Sequence, residues 1–280
     1  MQNKIVLLFL FLNACLCNAQ NPWLQSKGKV LLSPSISHYY TDSGRDEYGN
    51  KSDFSENGFY ENYVYKLYLA APIVANKLSL VANVPYVKST YQNDTYFSEN
   101  NELGDVEVGV KMHLKKIGEY HYLMGGLNTV IPMYNNDKGP YVGFDKFGTE
   151  LSVNISGNFE WMNVNKNYHQ LEFGVKTFFA NGPYQFKLYG SQAYRITNKF
   201  LVLGSATILL SRGDDFSVSG DESTIVNPDF IADFDIIKTT VNFGYEFSPK
   251  FAIYAGGFTD VWNRNISIGR GWQVFSVIKL

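Results

Sequence analysis

From Lys27 to Leu280 apolar and polar residues alternate with period two, in runs closed by Asn, Gly, Pro, Ser and Lys, and no stretch settles into a helical period. In 104–114, Val106, Val108, Val110, Met112 and Leu114 fall on one face of an extended chain, with Asp105, Glu107, Gly109, Lys111 and His113 on the other. Leu151, Val153, Ile155, Gly157, Phe159 and Trp161 alternate in the same way with Glu150, Ser152, Asn154, Ser156, Asn158 and Glu160. A third run sets Ile237, Thr239, Val241, Phe243, Tyr245 and Phe247 against Lys238, Thr240, Asn242, Gly244 and Glu246. One face of such a strand suits lipid and the other water. The pattern predicts strands near 28–40, 60–74, 77–91, 104–115, 120–133, 147–161, 168–179, 184–196, 199–211, 231–247, 251–262 and 271–280. Most exceed the roughly 9 to 11 residues that a tilted strand needs to cross a bilayer.

The connections alternate in length. Ala75 to Lys77, Lys115 to Glu119, Asn163 to Asn167, Thr197 to Lys199 and Ser248 to Lys250 are tight. Between them come longer loops at 41–59, 92–103, 134–146, 212–230 and 263–270, and a compact one at Asn181 to Pro183. Short turns at one end and long loops at the other are the asymmetry of an outer-membrane barrel. The fold class predicted is therefore all-β, a transmembrane antiparallel β-barrel of about twelve strands. Its last strand, Gly271 to Leu280, is free to close against the first and leave no edge exposed.

The first residues read as a leader. Lys4 precedes the apolar run Ile5 to Leu12, and the small-residue site Cys17-Asn18-Ala19 precedes Gln20. This predicts a signal peptide over 1–19 and one barrel domain over 20–280. A second reading takes Leu12-Asn13-Ala14-Cys15 as a lipoprotein box with Cys15 lipidated. Both cysteines fall in the leader, so disulfides and cysteine-bound metal are not expected in the rest.

Composition sharpens the picture at two points. Aromatic residues make up 16%, with 20 Tyr and 21 Phe, while mean hydropathy is only −0.17. Aromatic girdles and one-sided strands account for both. The formal charge of −2 becomes one unit more negative once Lys4 leaves with the leader. No basic excess invites nucleic acid, so the expected partners are outer-membrane lipid, the barrel-assembly machinery and a small-molecule solute.

Candidate chemistry lies on the water-facing side. The inward positions expected to line the lumen are Lys66, Asp105, Glu107, Lys111, His113, Glu172, Lys176, Lys187, Arg195 and Glu246. Their mixed signs argue against a strongly anion- or cation-selective pore. The bland reading is that they neutralise one another inside the barrel. His38, His113, His121 and His169 sit in no hydrolase motif; the His-x-Ser pair of the outer-membrane phospholipases has no match. Acidic residues of the long loops, Asp42, Asp46, Glu47, Asp53, Glu56, Asp214, Asp215, Asp221 and Glu222, do not follow calcium-loop spacing. No phosphate-binding glycine loop, zinc pattern or nucleotide fingerprint occurs, so no cofactor or metal is expected.

The stretch Leu103 to Leu114 resembles the signature strand of the outer-membrane family named after the meta-pathway of phenol degradation. The shared positions are Gly104, Asp105, Gly109 and Lys111, with Met112 where that family more often has Tyr or Phe. The resemblance implies a channel or transporter for small, apolar or aromatic molecules, and no enzyme. Two other functions remain open from the sequence. One is an interaction barrel whose loops 41–59 and 212–230 meet an envelope protein or surface polysaccharide. The other is an envelope lipid hydrolase.

Overall fold

The computed structural model describes residues 28–137, 139–161, 164–213 and 232–280. The expected leader and nearly all of the 212–230 loop lie outside the described residues. Strands run in the order β1 (Leu31–Arg45), β2 (Lys51–Asp53), β3 (Phe59–Val74), β4 (Leu78–Gln92), β5 (Phe97–Leu103), β6 (Asp105–Ile117) and β7 (His121–Pro132). They continue with β8 (Gly148–Trp161), β9 (Val164–Phe178), β10 (Tyr184–Arg195), β11 (Phe200–Arg212), β12 (Phe234–Ser248), β13 (Phe251–Arg264) and β14 (Ile266–Lys279).

Twelve of these strands form one antiparallel sheet that closes on itself. The hydrogen-bonded order is β14, β13, β12, β11, β10, β9, β8, β7, β6, β4, β3, β1, and β1 pairs back onto β14. The closing seam runs from Leu31 opposite Lys279 to Tyr39 opposite Gly271 and beyond. Val30 and Leu280 extend it by exchanging both of their backbone hydrogen bonds. A closed ring satisfies every strand's backbone groups without water, which is what lets strands stand in lipid. No described helix is long and apolar enough to cross a membrane, and the strands do that work instead.

The two remaining strands explain where two expected loops went. β2 pairs the tip of β1, with Arg45 opposite Lys51. β5 pairs the upper half of β4, from Tyr86 opposite Leu103 to Gln92 opposite Phe97, while β6 takes the lower half of β4. β5 and β6 are thus one long strand interrupted at Gly104, whose N–H donates to the Pro85 carbonyl. The 92–103 stretch looked like a loop because Ser98, Glu99, Asn100, Asn101 and Glu102 carry no apolar alternation. As an extension standing clear of lipid it needs none.

The expected long loop 263–270 is a correction. β13 ends at Arg264 and β14 begins at Ile266, leaving a one-residue link at Asn265 with φ 55°. Asn tolerates that left-handed conformation better than most residues, and its side-chain amide donates to the Asp233 carbonyl. The polar residues that suggested a loop are satisfied within the strands. Buried Asn263 donates to the Ser267 carbonyl, and Arg264 pairs with Asp233 and Asp235.

The outer face is apolar. Leu67, Leu80, Val108, Met112, Leu127, Leu151, Phe173, Leu188 and Val241 all point outward and are exposed. Aromatic rings band its two ends. At the turn end Phe247 contacts both Tyr245 and Phe251, and Trp161 contacts Tyr194. Toward the loop end Tyr63, His38 and Trp272 stand side by side on three adjacent strands. Two aromatic belts flanking an apolar band define a membrane-spanning barrel.

Candidate functional site

The inside of the barrel is divided into three zones by which residue types the inward parity of each strand delivers. At the turn end the interior is packed with Leu31, Ala70, Val81, Ala252, Tyr254 and Val277, with Tyr68, Leu203 and Phe275 against them. The Tyr254 and Phe275 rings stack at 4.7 Å with an interplanar angle of 5°. Beside them Arg195 makes a two-pronged contact with Glu246, Nη1 to Oε2 at 2.9 Å and Nη2 to Oε1 at 2.7 Å. Two parallel charge-assisted bonds hold that pair in one orientation.

Above this floor lies a cavity of about 400 Å³, the middle zone, and one side of it is a rail of alternating charge. Glu150 on β8 contacts Lys187 at 3.0 Å and Lys176 at 3.4 Å. Glu172 on β9 contacts Lys187 at 3.0 Å and Lys111 at 3.8 Å. Glu107 on β6 contacts Lys176 at 2.6 Å and accepts from Asn83. Strand register builds this rail. Lys176 is opposite Glu150 across the β8–β9 ladder, and Lys187 is opposite Gly174, which lets the lysine lie along the wall toward both carboxylates. A Cβ on Gly174 would stand 3.2 Å from Glu150 Oε1, tighter than such contacts normally are.

The other side of the cavity carries no charge. Ser33, Ser35, Ser191, Gln273, Phe275 and Leu203 line it. Lys66 on β3 stands where the two sides meet. It lines the cavity, is exposed to it, and among the described residues has no carboxylate within 4.0 Å. Its cross-strand neighbours are Ser35 and Pro85, neither of which offers a charge.

The third zone is the loop end. Tyr39, Tyr60 and Tyr91 pack together inside the mouth with Phe54 and Phe258. The Tyr39 hydroxyl meets Ser267 Oγ at 2.8 Å and donates to Asp260, while Lys238 lies over the Tyr39 and Phe258 rings. The segment between β7 and β8 folds inward rather than out. The Tyr134 hydroxyl donates to Asp105 at 2.9 Å and accepts from the Asp145 N–H at 2.9 Å. Burial and then the charge of Asp105 push the Tyr134 phenol well above its usual range, so it stays a donor. Phe144 packs against Phe178 on β9 and against the cluster of Phe234, Ile236 and Ile266 on β12 and β14. A segment rooted between β7 and β8 that contacts β12 and β14 leans across the mouth.

The residues expected to line the lumen separate accordingly. Lys66, Glu107, Lys111, Glu172, Lys176 and Lys187 gather in the middle zone; Asp105 stands above it, held by Tyr134. Arg195 and Glu246 form their own pair at the turn end. His113 is set edge-on to Tyr122 at 5.5 Å, away from the rail. Glu150, which touches two lysines, was not among the expected site residues, although its parity with Ser152 and Asn154 places it inside. Of the other histidines, His38 bonds Glu61 at 3.0 Å on the outer face, and the His121 and His169 rings lie 5.4 Å apart.

No family model matches the sequence, and no curated protein matches it. The fold, by contrast, has clear likenesses among solved structures. The COG4313 outer membrane channel from Pseudomonas putida F1 superimposes with a TM-score of 0.71 at 13% identity, covering 94% of this chain and 100% of the channel. The translocator domain of the autotransporter NalP from Neisseria meningitidis gives 0.50 at 11% identity, over 91% of this chain and 89% of that one. The transport unit of the autotransporter AIDA-I from Escherichia coli gives 0.50 at 11%, over 95% and 96%. With its closed ring, apolar band and aromatic belts, the chain is an outer-membrane β-barrel and resides in the cell outer membrane.

Proposed function

We propose that this protein is a selective channel that passes small solutes across the outer membrane. The observation that carries the reading is the cavity in the middle zone. Water-accessible and lined by paired charges on one side, it sits inside a ring otherwise closed to lipid. A purely structural barrel of this size would gain more by packing its interior, because ion pairs held in a low-dielectric core rarely repay their desolvation. The likeness to a solved outer membrane channel supports the same reading. The apolar cluster below the cavity, and Tyr134 and Phe144 packed above it, take up lumen space, which favours selective rather than general traffic. Small apolar or aromatic solutes, the cargo implied by the strand at 103–114, suit the floor of Tyr68, Leu203 and Phe275. Catalysis is not part of the proposal; no histidine lines the cavity.

Liposome swelling with the purified, refolded barrel tests this. Swelling with small sugars and amino acids that falls off steeply with solute size is expected. A barrel that is folded by its heat-dependent gel mobility, yet admits none of these solutes, overturns it. A second reading has its own support in the structure: β4 and β5 form a hairpin standing beyond the ring, a surface suited to an envelope protein or polysaccharide. Deleting residues 93–100 separates the two, because passage survives and surface assembly fails only if the hairpin is the functional part.

A further inference from the structure

Phe275, Ser35 and Lys66 occupy one level of three adjacent strands. Ser35 is opposite Phe275 on β14 and opposite Lys66 on β3, and all three line the cavity. Neighbouring strands are about 4.8 Å apart, so the aromatic and the ammonium-bearing backbones stand roughly 10 Å from each other. The small serine between them leaves a notch. One wall of that notch is a ring held flat against Tyr254, and the other is the end of a lysine.

The charges around the notch are unequal. Glu107, Glu150 and Glu172 are shared among Lys111, Lys176 and Lys187, three carboxylates for three ammonium groups. Lys66 is left over: it lines the cavity, and among the described residues no carboxylate lies within 4.0 Å of it. An ammonium standing in the cavity without a carboxylate gains most from an anion that brings its own charge. The ring beside it gains from apolar area.

We propose that this notch binds a small organic monocarboxylate, its carboxylate on Lys66 Nζ and its apolar body against Phe275 and Tyr68. This deepens the channel reading and rests on it only for the route by which the solute arrives. A neutral aromatic of the same shape meets the ring but leaves the ammonium uncompensated.

The test is equilibrium binding in detergent micelles, followed by fluorine resonance, with 4-fluorobenzoate and 4-fluorobenzamide as probes and protein-free micelles as the blank. Wild-type protein is expected to bind 4-fluorobenzoate at least ten-fold more tightly than the amide. Lys66→Met is expected to lose that ten-fold, Lys66→Arg to keep most of it, and Phe275→Ala to weaken both probes together. Equal binding of the two probes to the wild-type barrel overturns the proposal, and this result needs no variant to fold. So does unchanged 4-fluorobenzoate binding by a Lys66→Met barrel that passes the gel-mobility test. Liposome swelling separates this from the channel reading: benzoate binding through Lys66 without passage of any solute sinks the channel and leaves the site. Passage without discrimination between the probes does the reverse.

Discussion

At the residue scale, glycines in the wall let neighbouring strands approach where a side chain would not fit. Gly109 is the clearest case, because a Cβ there would stand 2.1 Å from the Leu127 carbonyl oxygen and 2.6 Å from the Asn128 Cα. Backbone cannot swing aside as a side chain can. Gly109→Val is therefore expected to lower the barrel's stability by about 1–3 kcal/mol, the usual cost of overpacking. Urea unfolding in lipid, followed by tryptophan fluorescence, measures it, and an unchanged midpoint would show that β6 and β7 can separate. Glu150 supplies the complementary prediction. It is buried and touches both Lys176 and Lys187, whose other carboxylate partners are Glu107 and Glu172. Glu150→Gln leaves two ammonium groups short of one negative charge, so the reversal potential across a bilayer in a potassium chloride gradient is expected to shift toward anion preference. A shift the other way, or none, would mean that the rail does not face the ion path.

At the element scale, legibility followed lipid. Strands whose outward face crosses the membrane, such as β6, β8 and β12, carry the strict alternation that water and lipid enforce on opposite sides, and their bounds were readable to within a few residues. β2, β5 and the β13–β14 turn stand clear of lipid, where polar residues serve equally well in strand or loop, and there the pattern fell silent. The rail was half legible for a related reason. Parity tells which residues point inward, but which lysine meets which glutamate depends on inter-strand register, and one sequence does not display register. The inward lean of 133–147 was invisible for want of any compositional mark. Its latch is now specific: Tyr134→Phe removes the hydroxyl that joins Asp105 to the Asp145 amide. More frequent transitions to a higher-conductance state in single-channel records are expected, and identical records would show that the segment is held by Phe144 alone.

The tip of β1 offers a pH test at the same scale. The Asn50 side chain first, then the Asn50 and Tyr48 amides, donate to the Asp46 carboxylate and hold it below its usual range. A depressed carboxyl stabilises its fold fully above the unfolded value of about 3.9 and loses that contribution as pH falls through the lower folded value. The Tyr48 and Asn50 amide resonances are expected to move together with the Asp46 titration below pH about 4. Independent titration of the two amides would mean that the β1–β2 turn forms without the carboxylate.

At the scale of the whole molecule, everything inside depends on the ring being closed by one chain. The cavity's uncharged side is built from β1, β10, β11 and β14, and the Phe275, Ser35 and Lys66 row crosses the seam between the last strand and the first. An open sheet, or one completed by a strand from a second copy, would scatter that row while keeping every hairpin and every outward alternation intact. The seam's register makes the point measurable, since Ser37 stands opposite Gln273. Directly opposed residues of antiparallel strands have Cα atoms about 4.5–5.5 Å apart, within the range a disulfide spans. In a chain with Cys15 and Cys17 replaced by Ser, the double substitution Ser37→Cys with Gln273→Cys is expected to oxidise within the monomer. The boiled, unreduced product then runs faster than the reduced one, because a loop from 37 to 273 cannot extend. Dimers on the same gel would instead place the seam between two chains, and the row that lines the cavity would have to be assigned to two molecules.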